Sequence, residues 1–298
     1  MPGALILSHN TGLTRQSVPV SKEVFVFIDS HCHLHDHRVI RKVPGIVARA
    51  HREGVTHMMS CATMEDNFED TLELSRRFKG IVPFLGIHPW FIRARSNGWE
   101  QVLGTYLDHY PAGIGETGLD FMDRGADRED QMHVFEVHLA LARELARPIN
   151  VHVRKAWDAF IHLIKRMGPL PAGGLIHSYS GSADMTALFK KYNWHISFSG
   201  SLTRPNAKKT TRALACIDSD QLLLETDAPD IFPTLPDRDM SGLNFPENLP
   251  AIARIASRIR DEDENEFYEQ VYENSMMLFS PLIDAPGQEA GPLDARDG

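Results

Sequence analysis

Cysteine is scarce in this chain of 298 residues, which has only Cys32, Cys61 and Cys216. Three widely spaced cysteines argue against a disulfide framework, because such frameworks need an even number of closely placed thiols. We therefore expect a reducing compartment, the cytoplasm.

Long apolar runs are missing as well. The apolar stretch at residues 4–7 is too short for the core of a signal peptide, and no basic segment precedes it. No run approaches the roughly 18 apolar residues of a membrane span. The sequence therefore predicts a protein without a membrane-embedded part.

Basic residues are in the minority, with 31 Lys and Arg against 40 Asp and Glu and a formal net charge of −9. This balance argues against a protein that binds nucleic acid over its whole surface. It still allows a nuclease, because bound metal ions add positive charge locally. The 42% hydrophobic and 24% charged content is typical of a globular protein, which excludes the collagen-like and disordered classes.

Short strand-like runs recur eight times along the chain. Most are nearly continuous apolar runs, which is typical of strands buried on both faces. They lie at 24–29, 55–61, 81–87, 112–116, 149–153, 173–177, 195–199 and 221–227. Segments with helical spacing alternate with them, at 38–53, 65–79, 98–110, 128–147, 155–167, 183–193, 205–218, 247–260 and 263–279. This alternation predicts parallel βα units closed into a (β/α)8 TIM barrel.

No internal linker divides the middle of the chain, so we expect one barrel domain over 24–283. Residues 1–23 form an N-terminal extension without an evident core pattern. The tail at 284–298 is rich in Ala, Gly, Pro and Asp and is predicted to be disordered. We expect a monomer.

Six residues with metal-binding side chains lie at or just past the ends of predicted strands. In a parallel barrel the segments that follow the strands open on one rim, so these side chains should meet there. Imidazole and carboxylate together bind divalent metal ions, and six donors exceed the needs of one tetrahedral ion. The natural count is two ions that share a bridging carboxylate. The six are His31, His33, Glu116, His152, His177 and Asp227.

Three details bear on these candidates. The i, i+2 spacing puts His31 and His33 on the same face of a strand, whereas Cys32 faces away and is predicted to be a packing residue. The chain has 15 histidines, so for His152 or His177 taken alone a structural or surface role is an equal alternative. A carboxylate at the end of a buried strand, as at Asp227, rarely lacks a partner.

The chain resembles the TatD family of metal-dependent hydrolases, part of the amidohydrolase superfamily. The matching motifs run in the family's order over about residues 25–280, at 27–34, 86–89, 115–120, 152–154, 177–181, 225–229, 246–249 and 274–279. The resemblance implies a (β/α)8 barrel with a divalent-metal centre and DNase or related phosphodiesterase activity. It also implies that one ion is held by His31, His33, Glu116 and Asp227, and the second by Glu116, His152 and His177.

The chain departs from the family pattern in four places. Some 23 residues precede the first strand, His138 stands where Gln is common, and Pro233–Ser241 looks like an insert. The chain also has His-Ser-Tyr-Ser-Gly at 177–181, where the family often has His-Cys-Phe-Ser-Gly. None of these departures changes a predicted ligand, so they bear on the substrate and not on hydrolysis itself.

The mechanism expected from such a site is hydrolysis by an activated water. Two ions about 3.5–4 Å apart can activate a water between them and hold the oxygens of an in-line displacement. Our hypothesis is that Asp227 takes the proton of this water and passes it to the leaving oxygen. Four imidazoles favour zinc, manganese or nickel, whereas the resemblance points to magnesium, so the choice among Mg, Mn and Zn is open.

Other residues have two interpretations each. Arg154, two residues past His152, is either a phosphate contact or a solvent-exposed salt bridge. His88 is either a phosphate contact or a cap before Pro89. Asp120 either orients a ligand histidine or is a turn residue. The basic cluster is either a contact for single-stranded backbone or a solvated helix face; it comprises Arg204, Lys208, Lys209 and Arg212.

Three function classes remain from the sequence. The first is a nuclease, most specifically a 3′-to-5′ exonuclease on single-stranded or damaged DNA, with deacylation of aminoacyl-tRNA as a related activity. The second is a small-molecule amidohydrolase or lactonase; a carboxylated lysine usually bridges the metals in those enzymes, and Glu116 in its place favours the first class. The third, a non-catalytic binding protein, is disfavoured by the complete ligand set.

Overall fold

A computed structural model of the chain describes residues 25–122, 127–235 and 242–285. The predicted N-terminal extension at 1–23 lies outside these ranges. Residues 286–298 of the predicted tail and residues 236–241 of the segment at 233–241 also lie outside them. The predictions for these parts of the chain therefore stay predictions.

Eight parallel strands form a single sheet in chain order, which confirms the predicted (β/α)8 barrel. Each strand pairs with the next, and the ring closes where Cys32 bridges Ala228, just past the last strand. The strands are β1 Phe27–Cys32, β2 Val55–Cys61, β3 Ile81–Leu85, β4 Gly113–Asp120, β5 Ile149–Arg154, β6 Gly174–Ile176, β7 Trp194–Phe198 and β8 Leu222–Leu224.

Nine α-helices lie in the described ranges, and each coincides with a predicted helical segment. They are α1 Val43–Arg52, α2 Phe68–Arg77, α3 Trp99–His109, α4 Arg128–Glu144, α5 Trp157–Met167, α6 Thr186–Lys191, α7 Lys208–Cys216, α8 Leu249–Arg260 and α9 Glu264–Ile283. Within these same ranges, no helix combines the length and apolar character that crossing a bilayer requires.

The fourth strand differs from its prediction. Glu116 was expected at its end, but β4 continues to Asp120 and pairs with β5 as far as Arg154. Gly118 explains both the continuation and the error. Its φ is +134°, and a Cβ there would lie 2.0 Å from the carbonyl oxygen of His152, so only glycine fits the strand at this point. In the sequence the same glycine resembles a turn signal.

Two apolar layers surround the strands. Alternate strand residues such as Met58 and Leu224 pack with the surrounding helices, and Cys32 belongs to this layer as predicted. The residues between them, such as Met59 and Leu223, form a second cluster with α9. All three cysteines are free thiols, as expected for a chain without a disulfide framework.

Direct hydrogen bonds join the ends of β1 and β8. The backbone N–H of Thr226 donates to Asp29 Oδ1 at 2.8 Å, and its hydroxyl donates to Asp29 Oδ2 at 2.5 Å. The backbone N–H of Asp227 donates to the carbonyl oxygen of His31 at 3.0 Å. These contacts bring residues almost 200 positions apart in the sequence to one point on the barrel rim.

His138 on α4 ties this helix to the segment after β3. Its Nδ1 donates to the carbonyl oxygen of Val134 at 2.7 Å, and its Nε2 accepts from the backbone N–H of Ile87 at 3.1 Å. The ring is fully buried and stacks on Trp99. Burial lowers the pKa of His138 from 6.5 to about 4. The neutral ring is therefore the form that the fold stabilises.

His138→Gln should preserve both contacts of the ring and remove its titration. The Gln amide can donate to Val134 and accept from Ile87. As the pH falls below 6.5, the unfolded histidine binds a proton that the folded one does not bind until about pH 4, so stability is lost across this window. We expect wild-type protein to lose up to about 3 kcal/mol more than the variant between pH 7 and 4. Urea unfolding at several pH values measures this difference. His133→Gln, an exposed position on the same helix, is the control, and equal losses in wild type and His138→Gln would contradict the prediction.

Candidate metal centre

The six residues predicted as metal ligands lie together at the carboxyl-end rim of the barrel. His31 is in β1 and His33 follows it, Glu116 is in β4, His152 is in β5, His177 follows β6, and Asp227 lies three residues past β8. Glu116, His177 and Asp227 are all less than a tenth exposed. At Asp227 the backbone has a φ of +56°, a conformation that Asp tolerates better than most residues.

His31 and His33 form the first pair of histidines. Their Nε2 atoms are 3.0 Å apart. The Nδ1 atom of His33 lies 2.8 Å from the carbonyl oxygen of Cys61, and that of His31 lies 2.9 Å from Asn150 Oδ1. The Asn150 amide is oriented by its donation to the carbonyl oxygen of Ser30. Because both Nδ1 atoms face acceptors, each carries a proton, which leaves the two Nε2 atoms as the ones that can bind a metal ion.

His152 and His177 form a second pair with the same design. Nδ1 of His152 is 3.2 Å from Nε2 of His177. The opposite nitrogen of each ring faces a carboxylate. His152 Nε2 lies 3.3 Å from Asp120 Oδ2, and His177 Nδ1 lies 3.4 Å from Glu225 Oε1. This placement leaves His152 Nδ1 and His177 Nε2 as the nitrogens that can bind a metal ion.

Glu116 lies between the two pairs and gives one oxygen to each. Its Oε2 is 3.5 Å from His31 Nε2 and 3.3 Å from His33 Nε2. Its Oε1 is 2.9 Å from His177 Nε2 and 3.3 Å from His152 Nδ1. Asp227 completes the first set, with Oδ1 3.6 Å from both Nε2 atoms. The result is two sets of nitrogen and oxygen donors that share one carboxylate.

This arrangement fits divalent cations. Mixed imidazole and carboxylate donors suit ions such as Zn²⁺ and Mn²⁺. Burial alone would lower the pKa of His33, but Asp227 and Glu116 raise it to about 10. Burial would also lower the pKa of His177, but Glu116 and Glu225 raise it well above its usual value. The cluster thus attracts positive charge, which protons supply in competition with a metal ion.

His88 contacts the same carboxylate from a third side. Its Nδ1 accepts from the backbone N–H of Trp90 at 3.1 Å, so Nε2 carries the proton and lies 3.2 Å from Glu116 Oε1. Burial lowers the pKa of His88 to about 4, which keeps the ring neutral. The capping contact foreseen from the sequence is present. The ring also donates to Glu116, which the sequence did not indicate.

Asp120 and Arg154 lie side by side at the ends of β4 and β5. Asp120 is buried in the strand, and its Oδ2 lies 3.3 Å from His152 Nε2, which favours the orienting role over the turn. Arg154 lines the cavity over the cluster, is half-exposed, and has its Nη1 3.9 Å from Asp120 Oδ2. It is thus available to a ligand in the cavity.

The predicted basic cluster extends over two adjoining surfaces. Arg204 lines both the cavity over the metal cluster and a neighbouring shallow cleft, whereas Lys208 and Arg212 line the cleft alone. All of these residues and Lys209 are exposed. A contact with single-stranded backbone stays a prediction for them.

The cavity over the cluster has a volume of about 760 Å³, in the range of small-molecule and cofactor sites. Three residues near it were missed in the sequence. Asn150 and Glu225 stand two positions before His152 and Asp227, so strand alternation could have found them. Trp90, at the cavity wall, follows Pro89 in a loop and carried no pattern.

Comparisons with known proteins agree with this geometry. The family described as TatD related DNase matches residues 28–280. A relative named "Uncharacterized metal-dependent hydrolase YjjV", from Escherichia coli K12, is 30% identical over 258 residues, which are 85% of this chain and 98% of the relative. A relative from Edwardsiella piscicida named "3'-5' ssDNA/RNA exonuclease TatD" is 29% identical, over 80% of this chain and 93% of its own.

Solved structures show the same fold. The crystal structure of YjjV, a TatD homologue of Escherichia coli, superimposes with a TM-score of 0.81 at 29% identity, covering 85% of this chain and 98% of that one. A TatD family hydrolase of Entamoeba histolytica has a TM-score of 0.77 at 23% identity, over 87% of this chain and 99% of its own, a likeness of fold alone. With the family match extending over most of its length, this chain belongs to the TatD family of metal-dependent hydrolases.

Proposed function

We propose that this protein is a metal-dependent nuclease that hydrolyses phosphodiester bonds of single-stranded DNA from the 3′ end. The observation that carries the proposal is the Glu116 carboxylate, which faces one pair of histidine nitrogens with each of its oxygens. Two ions that share such a bridge are the usual apparatus of phosphodiester hydrolysis. A family relative named as a 3′-to-5′ exonuclease supports the choice of substrate.

The proposed ligand sets follow the two pairs. One divalent ion would be held by the first pair with Glu116 and Asp227, and a second by the other pair with Glu116. Mg²⁺, Mn²⁺ and Zn²⁺ are the candidate ions, since the donor set mixes imidazole nitrogen with carboxylate oxygen. Both sets come from one chain, which supports a monomer as the working unit. We keep the cytoplasm as the proposed location.

The chain's own residues have distinct tasks in this mechanism. Bound divalent ions supply Lewis acidity, which lowers the pKa of a water and neutralises charge on the phosphoryl oxygens. Asp227, whose side chain is about a tenth exposed to the cavity, accepts the proton of the attacking water and returns it to the leaving oxygen. Arg154 binds a non-bridging phosphate oxygen from the cavity wall. His88 and Asp120 orient Glu116 and His152 by hydrogen bonds.

The direct test of the proposal is cleavage of labelled single-stranded DNA. We expect stepwise shortening from the 3′ end with Mg²⁺ or Mn²⁺, and loss of this activity when EDTA removes the ion. A strand labelled at its 5′ end shows the direction of shortening on a gel. Metal-dependent turnover of an ester, lactone, amide or aminoacyl-tRNA without DNA cleavage would instead identify a small-molecule hydrolase or a deacylase.

Asp227→Asn tests the proton acceptor. The amide can still offer an oxygen to the ion but cannot accept the water's proton, so we expect kcat to fall about 10²- to 10⁴-fold. Metal content by plasma mass spectrometry should stay above half of the wild-type value. Asp70→Asn, an exposed acid on α2 that does not line the cavity, serves as the matched control. Full turnover by Asp227→Asn with metal bound would show that the role is wrong.

Asn150→Ala tests the support of His31. Without the Asn150 Oδ1 acceptor the ring loses its fixed tautomer and orientation, and we expect divalent-metal affinity to fall about 10- to 100-fold. Competition with a chromogenic chelator measures this affinity for Zn²⁺ and Mn²⁺. Asn206→Ala, an exposed asparagine at the cavity wall, should bind metal like wild type. Unchanged affinity in folded Asn150→Ala protein would contradict the proposed ligand set.

A further inference from the structure

Trp90 exposes a large aromatic ring at the wall of the cavity. It is 62% exposed, whereas Trp99 and Trp194 are buried at 4% and 1% and Trp157 is partly buried. Exposing an indole ring costs free energy that burial would recover. The structure therefore leaves a face of this ring available to a ligand in the cavity, which Trp90 lines.

The exposed ring is held in place from its buried side. Its Nε1 donates to Asp120 Oδ2 at 2.7 Å, and its backbone N–H donates to His88 Nδ1. The ring also meets His88 edge to face, with centroids 4.8 Å apart and planes at 82°. An aromatic group already fixed in one orientation loses little conformational entropy when a second ring stacks on it.

The ring lies next to the metal cluster. Its centroid is 6.1 Å from that of His152, and the Asp120 oxygen that holds the indole also lies 3.3 Å from His152 Nε2. Arg154, the cation proposed to bind phosphate, has its Nη1 atom 3.9 Å from the same Asp120 oxygen. An apolar aromatic face, a cation and a metal site are thus grouped within a few ångströms. This grouping matches the base and phosphate of one nucleotide.

We propose that Trp90 is the stacking platform for the nucleobase of the nucleotide whose phosphate is cleaved, an inference that rests on the proposed nuclease function. Every nucleobase has an aromatic face, so such a platform binds without preference for sequence. It requires a base whose face is free. A base inside a duplex has both faces covered by its neighbours, so Trp90 selects single-stranded ends.

Binding of labelled oligonucleotides in EDTA tests the platform without turnover. We expect Trp90→Ala to raise the Kd for a single strand of ten deoxyadenosine nucleotides about tenfold. Trp90→Phe keeps an aromatic face and should stay within about threefold of wild type. A strand of the same length whose 3′-terminal nucleotides are abasic should bind wild type and Trp90→Ala within about twofold of each other. Fluorescence anisotropy measures all of these affinities, and Met277→Ala, exposed on α9, is the control that should match wild type.

The phenylalanine variant separates stacking from support of Asp120, because it lacks the indole N–H. Equal losses for Trp90→Phe and Trp90→Ala would show that the residue acts through Asp120 and would overturn the proposal, as would an equal loss on the abasic strand. Tryptophan emission gives a second readout: the deoxyadenosine strand should quench wild-type fluorescence, and the quenching should be absent in Trp90→Phe.

Failure of the platform is distinguishable from failure of the nuclease proposal. If wild type cleaves DNA with Mg²⁺ or Mn²⁺ and kcat/KM of Trp90→Ala is unchanged, the platform is wrong and the nuclease stands. If wild type cleaves no strand but its fluorescence is quenched by the deoxyadenosine strand and Trp90→Ala binds it about tenfold more weakly, base stacking at Trp90 stands. The nuclease function, and with it a cleaved nucleotide as the occupant of the platform, is then wrong.

Discussion

The carboxylate of Glu116 is the contact on which the rest of the site depends. It is nearly fully buried, and a buried anion is costly unless positive charge or hydrogen-bond donors surround it. Burial would raise its pKa, but the histidines around it, with His88 and His177 foremost, hold the pKa well below its usual range. The side chain therefore stays ionised, and histidines on β1, β5 and the segments after β1, β3 and β6 face this one charge.

The pairing of β4 with β5 positions the residues next to the metal cluster. In the register of β4 and β5, Gly118 pairs with His152 and Asp120 pairs with Arg154. The glycine that allows the strands to approach thus sets Asp120 beside a proposed ligand and a proposed phosphate contact. Asp120 in turn holds Trp90. Backbone register therefore fixes where the metal and substrate groups lie relative to one another.

Much of this could be predicted from the sequence, because strand ends and ligand types are local features. All six proposed ligands end or follow an apolar run, and a closed barrel brings such ends to one rim. Other features depend on neighbours that are distant in sequence. The continuation of β4 past Glu116 depends on β5, and the contact of His88 with Glu116 depends on how the loop after β3 folds back. The exposure of Trp90 cannot be inferred from the sequence around it, since it depends on which groups the loop after β3 packs against.

The distribution of charge suits an enzyme that acts on strand ends. The chain carries a net charge of −9, so its surface does not attract a long polyanion. Among the cations that line the cavity, Arg38 is held by Asp36 and Asp230, each at 2.8 Å. Arg154 and Arg204 remain to meet phosphate, together with the proposed ions. With so few phosphate contacts, binding affinity should depend only weakly on salt concentration, and the site should hold one or two nucleotides. The remaining affinity must then come from the base, and Trp90 is the exposed aromatic ring placed to supply it.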